Sequence, residues 1–191
     1  MQKNKVKKII SEHLSILKKD KNQIEKKVFE LSKLIISCFE NGGKILIFGN
    51  GGSAADAQHF STELTVRLKS NRKALPALSL VTDTSAISAI GNDFGFSYIF
   101  KRQIEALAQK DDLIIPITTS GNSVNIVEAL KFSQKNKLKV FGIFGNNGGK
   151  CKKYSSNYFL VSSKNPSRIQ EIHIIFWQSV CEIVEEFYAS K

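Results

Sequence analysis

Residues 44–60, KILIFGNGGSAADAQHF, decide the fold. Lys44 precedes four large apolar side chains, Ile45 to Phe48, and the run then closes on Gly49, Asn50, Gly51 and Gly52. A short apolar run that ends in glycine predicts a buried strand followed by a tight turn. Ser53 stands where a helix N-cap belongs, and the N–H groups of a helix start are open to an anion. The turn is neither the dinucleotide pattern G-x-G-x-x-G nor a Walker loop, so no nucleotide cofactor is expected. In isolation, an ordinary glycine-rich strand-to-helix turn reads the same way.

The strand signature returns at 77–82 (ALSLVT), 112–118 (DLIIPIT), 139–145 (KVFGIFG) and 157–162 (NYFLVS). Helical stretches separate these runs, at 53–69, 84–91, 96–109, 123–136 and 167–189. Strands alternating with helices predict an α/β fold, a doubly wound parallel five-stranded sheet with helices on both faces. Pro116 cannot donate to a sheet ladder, so it belongs at a bulge or at a point without a partner. Ligands of such folds bind beyond the carboxyl ends of the strands.

Upstream, residues 6–40 read as helix. Ile10, Leu14, Leu17, Ile24, Val28, Leu31, Ile35 and Cys38 recur at steps of three and four or their sums. The stripe breaks at Lys18–Asn22, which predicts two helices or one kinked helix. A narrow apolar seam packs on another chain's helix or on the chain's own core. The organisation is one domain, 1–191: helices over 1–40 and an α/β core over 44–189.

The composition agrees. The chain has 191 residues, 42% of them hydrophobic and 24% charged, which excludes wholesale disorder. No apolar run reaches the roughly 18–20 residues of a membrane span. Net charge is 28 − 17 = +11, a balance that favours anionic partners. The N-terminal lysines lack interleaved aromatic residues and a nucleic-acid motif, so neither nucleic acid nor membrane is an expected partner. Cys38, Cys151 and Cys181 are odd in number and widely spaced, against a disulfide framework or a cysteine zinc site. The start MQKNKVKKIISEHL has no signal-peptide core, and a cytoplasmic location follows.

Chemistry-bearing residues gather at the strand ends. After the third strand come Thr118, Thr119, Ser120, Gly121, Asn122 and Ser123. Four hydroxyls with helix N–H groups can hold phosphate oxygens without a fixed cation. On the helix after the first turn, His59, Glu63 and Arg67 are spaced i, i+4, i+8 along one side. Thr82–Ser85 and Gly91–Gly95 offer polar residues at a strand end and a helix break, where turn chemistry alone also explains them. Ser167 is a candidate cap for the last helix, in which Gln170 and Gln178 interrupt an apolar face and need partners if buried.

At GNGGSAADAQHFSTEL, TTSGNS, AIGNDFG and RIQEIHI the chain resembles the bacterial phosphoheptose isomerases of the sugar-isomerase (SIS) group, over nearly its whole length. The TSGNS element alone marks only a phosphosugar site, whereas GNGGSAADAQHF with the glutamate and RIQE is far more specific. The resemblance implies a single SIS-type domain that converts sedoheptulose 7-phosphate to D-glycero-D-manno-heptose 7-phosphate. It implies heptose biosynthesis for lipopolysaccharide core or capsule, and a homotetramer with active sites between subunits. By the same resemblance the phosphorylated seven-carbon sugar contacts Asn50, Gly51, Gly52, Ser53, Glu63, Arg67, Asn92, Asp93, Thr118, Thr119, Ser120, Ser123 and Gln170. Glu63 matches the catalytic carboxylate. His59, Glu63 and Gln170 match three ligands of the zinc ion that some members carry.

The chain departs from that pattern at Gln178, which stands at the family's catalytic and metal-binding histidine. Glutamine cannot relay a proton at neutral pH and is a poor zinc ligand. His173 does not replace it, being five residues away and about 140° around the helix. The rival implied by the family's relatives is a non-catalytic replication-initiator-associating scaffold, or a sugar-phosphate sensor. Gln178 and the charge favour that rival; retained His59 and Glu63 oppose it.

Overall fold

The computed structural model describes residues 3–190. Met1, Gln2 and Lys191, the ends of the 1–191 domain, lie outside them. Strands β1 (Ile45–Gly49), β2 (Ala77–Ser79), β3 (Leu113–Thr118), β4 (Lys139–Gly145) and β5 (Asn157–Val161) form one parallel sheet in the order β2-β1-β3-β4-β5. The helices are α1 (Lys3–Glu40), α2 (Gly52–Thr65), α3 (Thr84–Asp93), α4 (Ile99–Leu107), α5 (Val124–Lys135) and α6 (Pro166–Ala189). Two short 3-10 turns, Phe96–Tyr98 and Cys151–Tyr154, complete the elements.

Side-chain alternation along the strands divides the core into two layers. Ile45, Ile47, Ile115, Ile117 and Ile143 pack beneath α1, α2 and α6. Leu46, Phe48, Ile114, Val140 and Phe144 pack beneath α4 and α5. Both faces of β1 and β3 are therefore buried, the reason their sequences are continuous apolar runs.

The N-terminal segment is one helix. No glycine or proline occurs between Lys3 and Glu40, and the supposed break is a docked polar residue. Buried Asp20 accepts from the backbone N–H of Ser162 at 2.8 Å and from its hydroxyl at 2.6 Å. The stripe itself divides. Val28, Leu31, Ile35 and Cys38 are buried in the chain's own core, each aliphatic one contributing roughly 1.5–3 kcal/mol. Ile10 and Leu14 remain 54% and 58% exposed.

Other bounds move for local reasons. β2 is shorter than 77–82: beyond Ser79 the Thr82 hydroxyl donates to the Ser79 carbonyl, and Asp83 caps α3 by accepting from Ala86 N–H. The stretch 96–109 is a 3-10 turn followed by α4, which ends at Leu107. The stretch 53–69 ends as helix at Thr65. Pro116 pairs opposite Phe48 on the β1 side, while the β3–β4 ladder skips Ile115 and Pro116 without changing register. It is thus a gap in pairing and not a bulge.

His173 is fully buried in α6. Burial pushes its imidazole down to about 4, opposed by the Phe144 backbone carbonyl. The unfolded chain therefore binds a proton below about pH 6.5 that the folded chain refuses. This contribution to stability is complete above that pH and is lost as pH falls toward 4. About 2 kcal/mol is expected to be gone at pH 5. Melting temperatures at pH 7 and 5 should fall less steeply for His173→Leu than for wild type; equal slopes would refute the assignment.

Candidate functional site

The strand order reverses between β1 and β3: the chain leaves β1 toward one edge and β3 toward the other. Their connections enter helices on opposite faces, which opens a crevice at the carboxyl ends of the two strands. The glycine-rich turn (Gly49–Ser53) and the hydroxyl-rich turn (Thr118–Ser123) are the two walls. A reciprocal amide pair ties them, Asn50 and Asn125 each donating to the other at 2.9 Å. Asn125 also accepts from Ile126 N–H, which fixes the start of α5.

Each wall is shaped by its backbone. Gly51, with φ +56°, is the N-cap of α2; Ser53, expected as the cap, lies buried in the first turn. A methyl group on Gly52 would stand 2.4 Å from Gln170 Nε2, so only glycine lets that amide lie across the loop. In the second wall, Thr118 Oγ1 accepts from Gly121 N–H and Ser120 Oγ from Asn122 N–H. Ser123 is the N-cap of α5 yet makes no side-chain capping bond. Hydroxyls that serve as acceptors inside the turn keep their O–H donors for an incoming oxygen. The cleft beside Asn122 is edged by Lys131, Lys150 and Lys153, a field that favours an anion.

Helix α6 starts against the first wall and runs alongside α2. Asn165, not Ser167, caps it, accepting from Ser167 N–H. Gln170 lies at Gly52, and Trp177 lies at His59, ring centroids 4.8 Å apart. Phe60 stacks on the same indole. His59 Nε2 is 2.8 Å from Glu63 Oε1, with the Glu63 side chain 16% exposed and that of His59 51% exposed. Gln178 follows Trp177 and is half-buried, as is Gln170.

Three expected contacts are not made within one chain. Arg67 falls beyond the end of α2 and donates to Asn71. The helical ladder is therefore His59–Glu63 alone. Asn92 and Asp93 end α3, exposed and hydrogen-bonded to each other. No hydrogen bond among the described residues joins them to either wall. Finally, Gln170 is held at Gly52, while His59 stands seven residues on, about 10 Å of helical rise.

This last point tests the expected zinc. A zinc site gathers four donors at about 2.0–2.3 Å, mostly imidazole, thiolate or carboxylate. Here His59 and Glu63 face each other, and the remaining two positions are amides. Among the described residues no three histidines, cysteines or acids gather. The donors within one chain do not fit zinc, and no step is assigned to it.

Some residues around the site were not singled out as candidates in the sequence. Asn125 lies just past the hydroxyl cluster, and only its pairing with Asn50 marks it. Asp56, on α2, is buried with Oδ2 unpartnered; burial pushes its carboxyl up to about 6, against the pull of His59. Arg72, beyond the end of α2, was not singled out in the sequence, and its side chain is fully buried.

Residues 8–145 match the SIS domain family model. The chain is 46% identical over 188 residues to phosphoheptose isomerase 1 of Campylobacter jejuni, covering 97% of this chain and 99% of that protein. It is 50% identical over 154 residues to the phosphoheptose isomerase of Aliarcobacter butzleri, covering 81% and 82%. The structure superposes on a phosphoheptose isomerase from Francisella tularensis with TM-score 0.93 and 34% identity, covering 97% and 100%.

Proposed function

Because the chain belongs to the phosphoheptose isomerases of the SIS domain family, we propose that it interconverts sedoheptulose 7-phosphate and D-glycero-D-manno-heptose 7-phosphate. The observation that carries this is the Glu63 carboxylate, held by His59 on the helix that springs from the phosphate-facing crevice. The phosphate lies on the Thr118–Ser123 turn and the N–H groups at the start of α5, with Asn50–Ser53 closing over the sugar. Glu63 takes the proton from carbon 1 of the ketose. An enediolate forms with its charge on the carbon 2 oxygen. That oxygen gains a proton, the carbon 1 hydroxyl loses one, and Glu63 returns its proton to carbon 2. Gln178 donates a hydrogen bond to a substrate oxygen and moves no proton.

The site is assembled between copies of the chain. Glu63 lies eleven residues along α2 from Gly52, a rise of about 16 Å, more than an extended seven-carbon phosphate spans. A glycine-rich turn and a carboxylate that meet one substrate therefore come from different copies. The exposed Val6, Ile10 and Leu14 on α1 are the surface on which a homotetramer forms. Light scattering that returned the 21.3 kDa mass of a single chain would sink the shared site. The product serves heptose biosynthesis, for lipopolysaccharide core or capsule. The three buried free cysteines suit the reducing cytoplasm, and no helix among the described residues is long and apolar enough to cross a membrane.

Turnover of sedoheptulose 7-phosphate by wild type, with added zinc without effect, is the expected result. Gln178→His should raise kcat at least tenfold, because a missing general acid typically costs about 10²–10⁴-fold. Binding of the sugar phosphate without turnover in wild type would instead favour a sensor or scaffold.

A further inference from the structure

The segment after α2 is held by two buried, oppositely charged side chains with no part in the reaction as derived above. Arg72 Nη2 donates to the Glu63 carbonyl at 2.6 Å, and Nη1 donates to the Lys73 carbonyl at 3.0 Å. Its Nε lies 3.9 Å from Glu185 Oε1, with both side chains essentially closed to solvent. Glu185, on α6, in turn accepts from three successive N–H groups, Leu68, Lys69 and Ser70, at 2.8–3.2 Å. Burial raises the Glu185 carboxyl, but the three N–H groups and Arg72 outweigh it and hold the group below the usual carboxylate range.

The last four carbonyls of a helix have no partner within it. At the end of α2 the Thr62 carbonyl takes Val66 N–H, the Leu64 carbonyl takes Leu75 N–H, and the Glu63 carbonyl takes the guanidinium. The cation also sits at the negative end of the helix dipole. Merely joining α6 to this segment does not require such a pair, since apolar residues of the same volume usually hold a buried contact as well or better. Only a forked donor reaches the Glu63 carbonyl and the returning chain together.

We propose that Arg72, anchored by Glu185, is a positioning residue for Glu63, setting the last turn of α2 and hence the place of the carboxylate. This rests on the isomerase reading above. A base misplaced by about 1 Å can lose up to ~10²-fold in rate.

The test compares purified full-length wild type, Arg72→Lys and Val184→Ala in turnover of sedoheptulose 7-phosphate, with thermal melting alongside. Arg72→Lys keeps the charge beside Glu185 but not the fork; its kcat should fall at least tenfold with KM changed less than threefold. Val184→Ala removes buried apolar volume on α6 near the clamp. It should lower the melting temperature at least as much and leave kcat within twofold. If Arg72→Lys does not fold, Glu185→Asp, which keeps the charge and shortens the reach, carries the same kcat expectation. A folded variant with kcat within twofold of wild type overturns the proposal alone, as does an equal kcat loss in Val184→Ala. An inactive wild type overturns the isomerase reading and this inference with it.

Discussion

Glu63→Gln protein is expected to bind sedoheptulose 7-phosphate and to leave it unconverted. The substitution keeps the shape of the side chain and an oxygen that can still accept from His59, so the local structure should hold. It removes the group able to accept a proton from carbon. Loss of a general base typically costs about 10²–10⁴-fold. The neighbours offer no replacement, since His59 is the residue bonded to Glu63 and the amides of Gln170 and Gln178 do not titrate. His173 is sealed in the core on α6. The decisive comparison is kcat against the dissociation constant measured by calorimetry. A Glu63→Gln protein with kcat within tenfold of wild type would remove the carboxylate from the mechanism. Solvent deuterium should appear in the product made by wild type, as a proton carried by an exchangeable base requires.

The second large effect is expected at Gly121. Its φ of +65° lies in the left-handed region, which costs a residue with a side chain about 1–2 kcal/mol. A methyl group there would stand 2.0 Å from the Gly148 carbonyl oxygen and 2.9 Å from Gly149 N. Both are backbone atoms, so no rotamer change relieves the overlap. Either the Thr118–Ser123 turn or the Gly148–Gly149 turn must move. The Gly121 carbonyl also accepts from Cys151 N–H, which couples the two turns further. Gly121→Ala should lose roughly 2–4 kcal/mol of stability. It should also weaken sugar-phosphate binding at least tenfold, because the hydroxyls and N–H groups would no longer converge. A binding constant within threefold of wild type would place the phosphate elsewhere than on this turn.

Much of this was legible in the residues themselves. Strand periodicity and glycine punctuation are local properties, so the five strands, their alternation with helices and the two ligand-facing turns could be read directly. Helix ends were harder. The 53–69 stretch is continuously compatible with helix, yet it stops at Thr65, where residues from later in the chain take over: Arg72 donates to the Glu63 carbonyl, and Glu185 accepts from the N–H groups of Leu68, Lys69 and Ser70. The apparent break at Lys18–Asn22 failed for the converse reason. Asp20 looked polar and hence interrupting until Ser162, far along the chain, supplied its partner.

The amino-acid sequence by itself determined the α/β class, the parallel five-stranded sheet and the residue types of the phosphate turn, because side-chain period and turn chemistry act over a few residues. It also showed Gln178 where a histidine was expected. Only the tertiary structure decided that Asn50 pairs with Asn125, that Gln170 fills the space above Gly52, and that Gln170 and Glu63 stand far apart along α2 in one chain. The two relations that involve Gln170 depend on the register of α6 against α2. That register is set by Trp177 packing between His59 and Phe60 and by Glu185 binding the segment after α2. Contacts between residues more than a hundred positions apart leave no periodic trace in the chain that makes them.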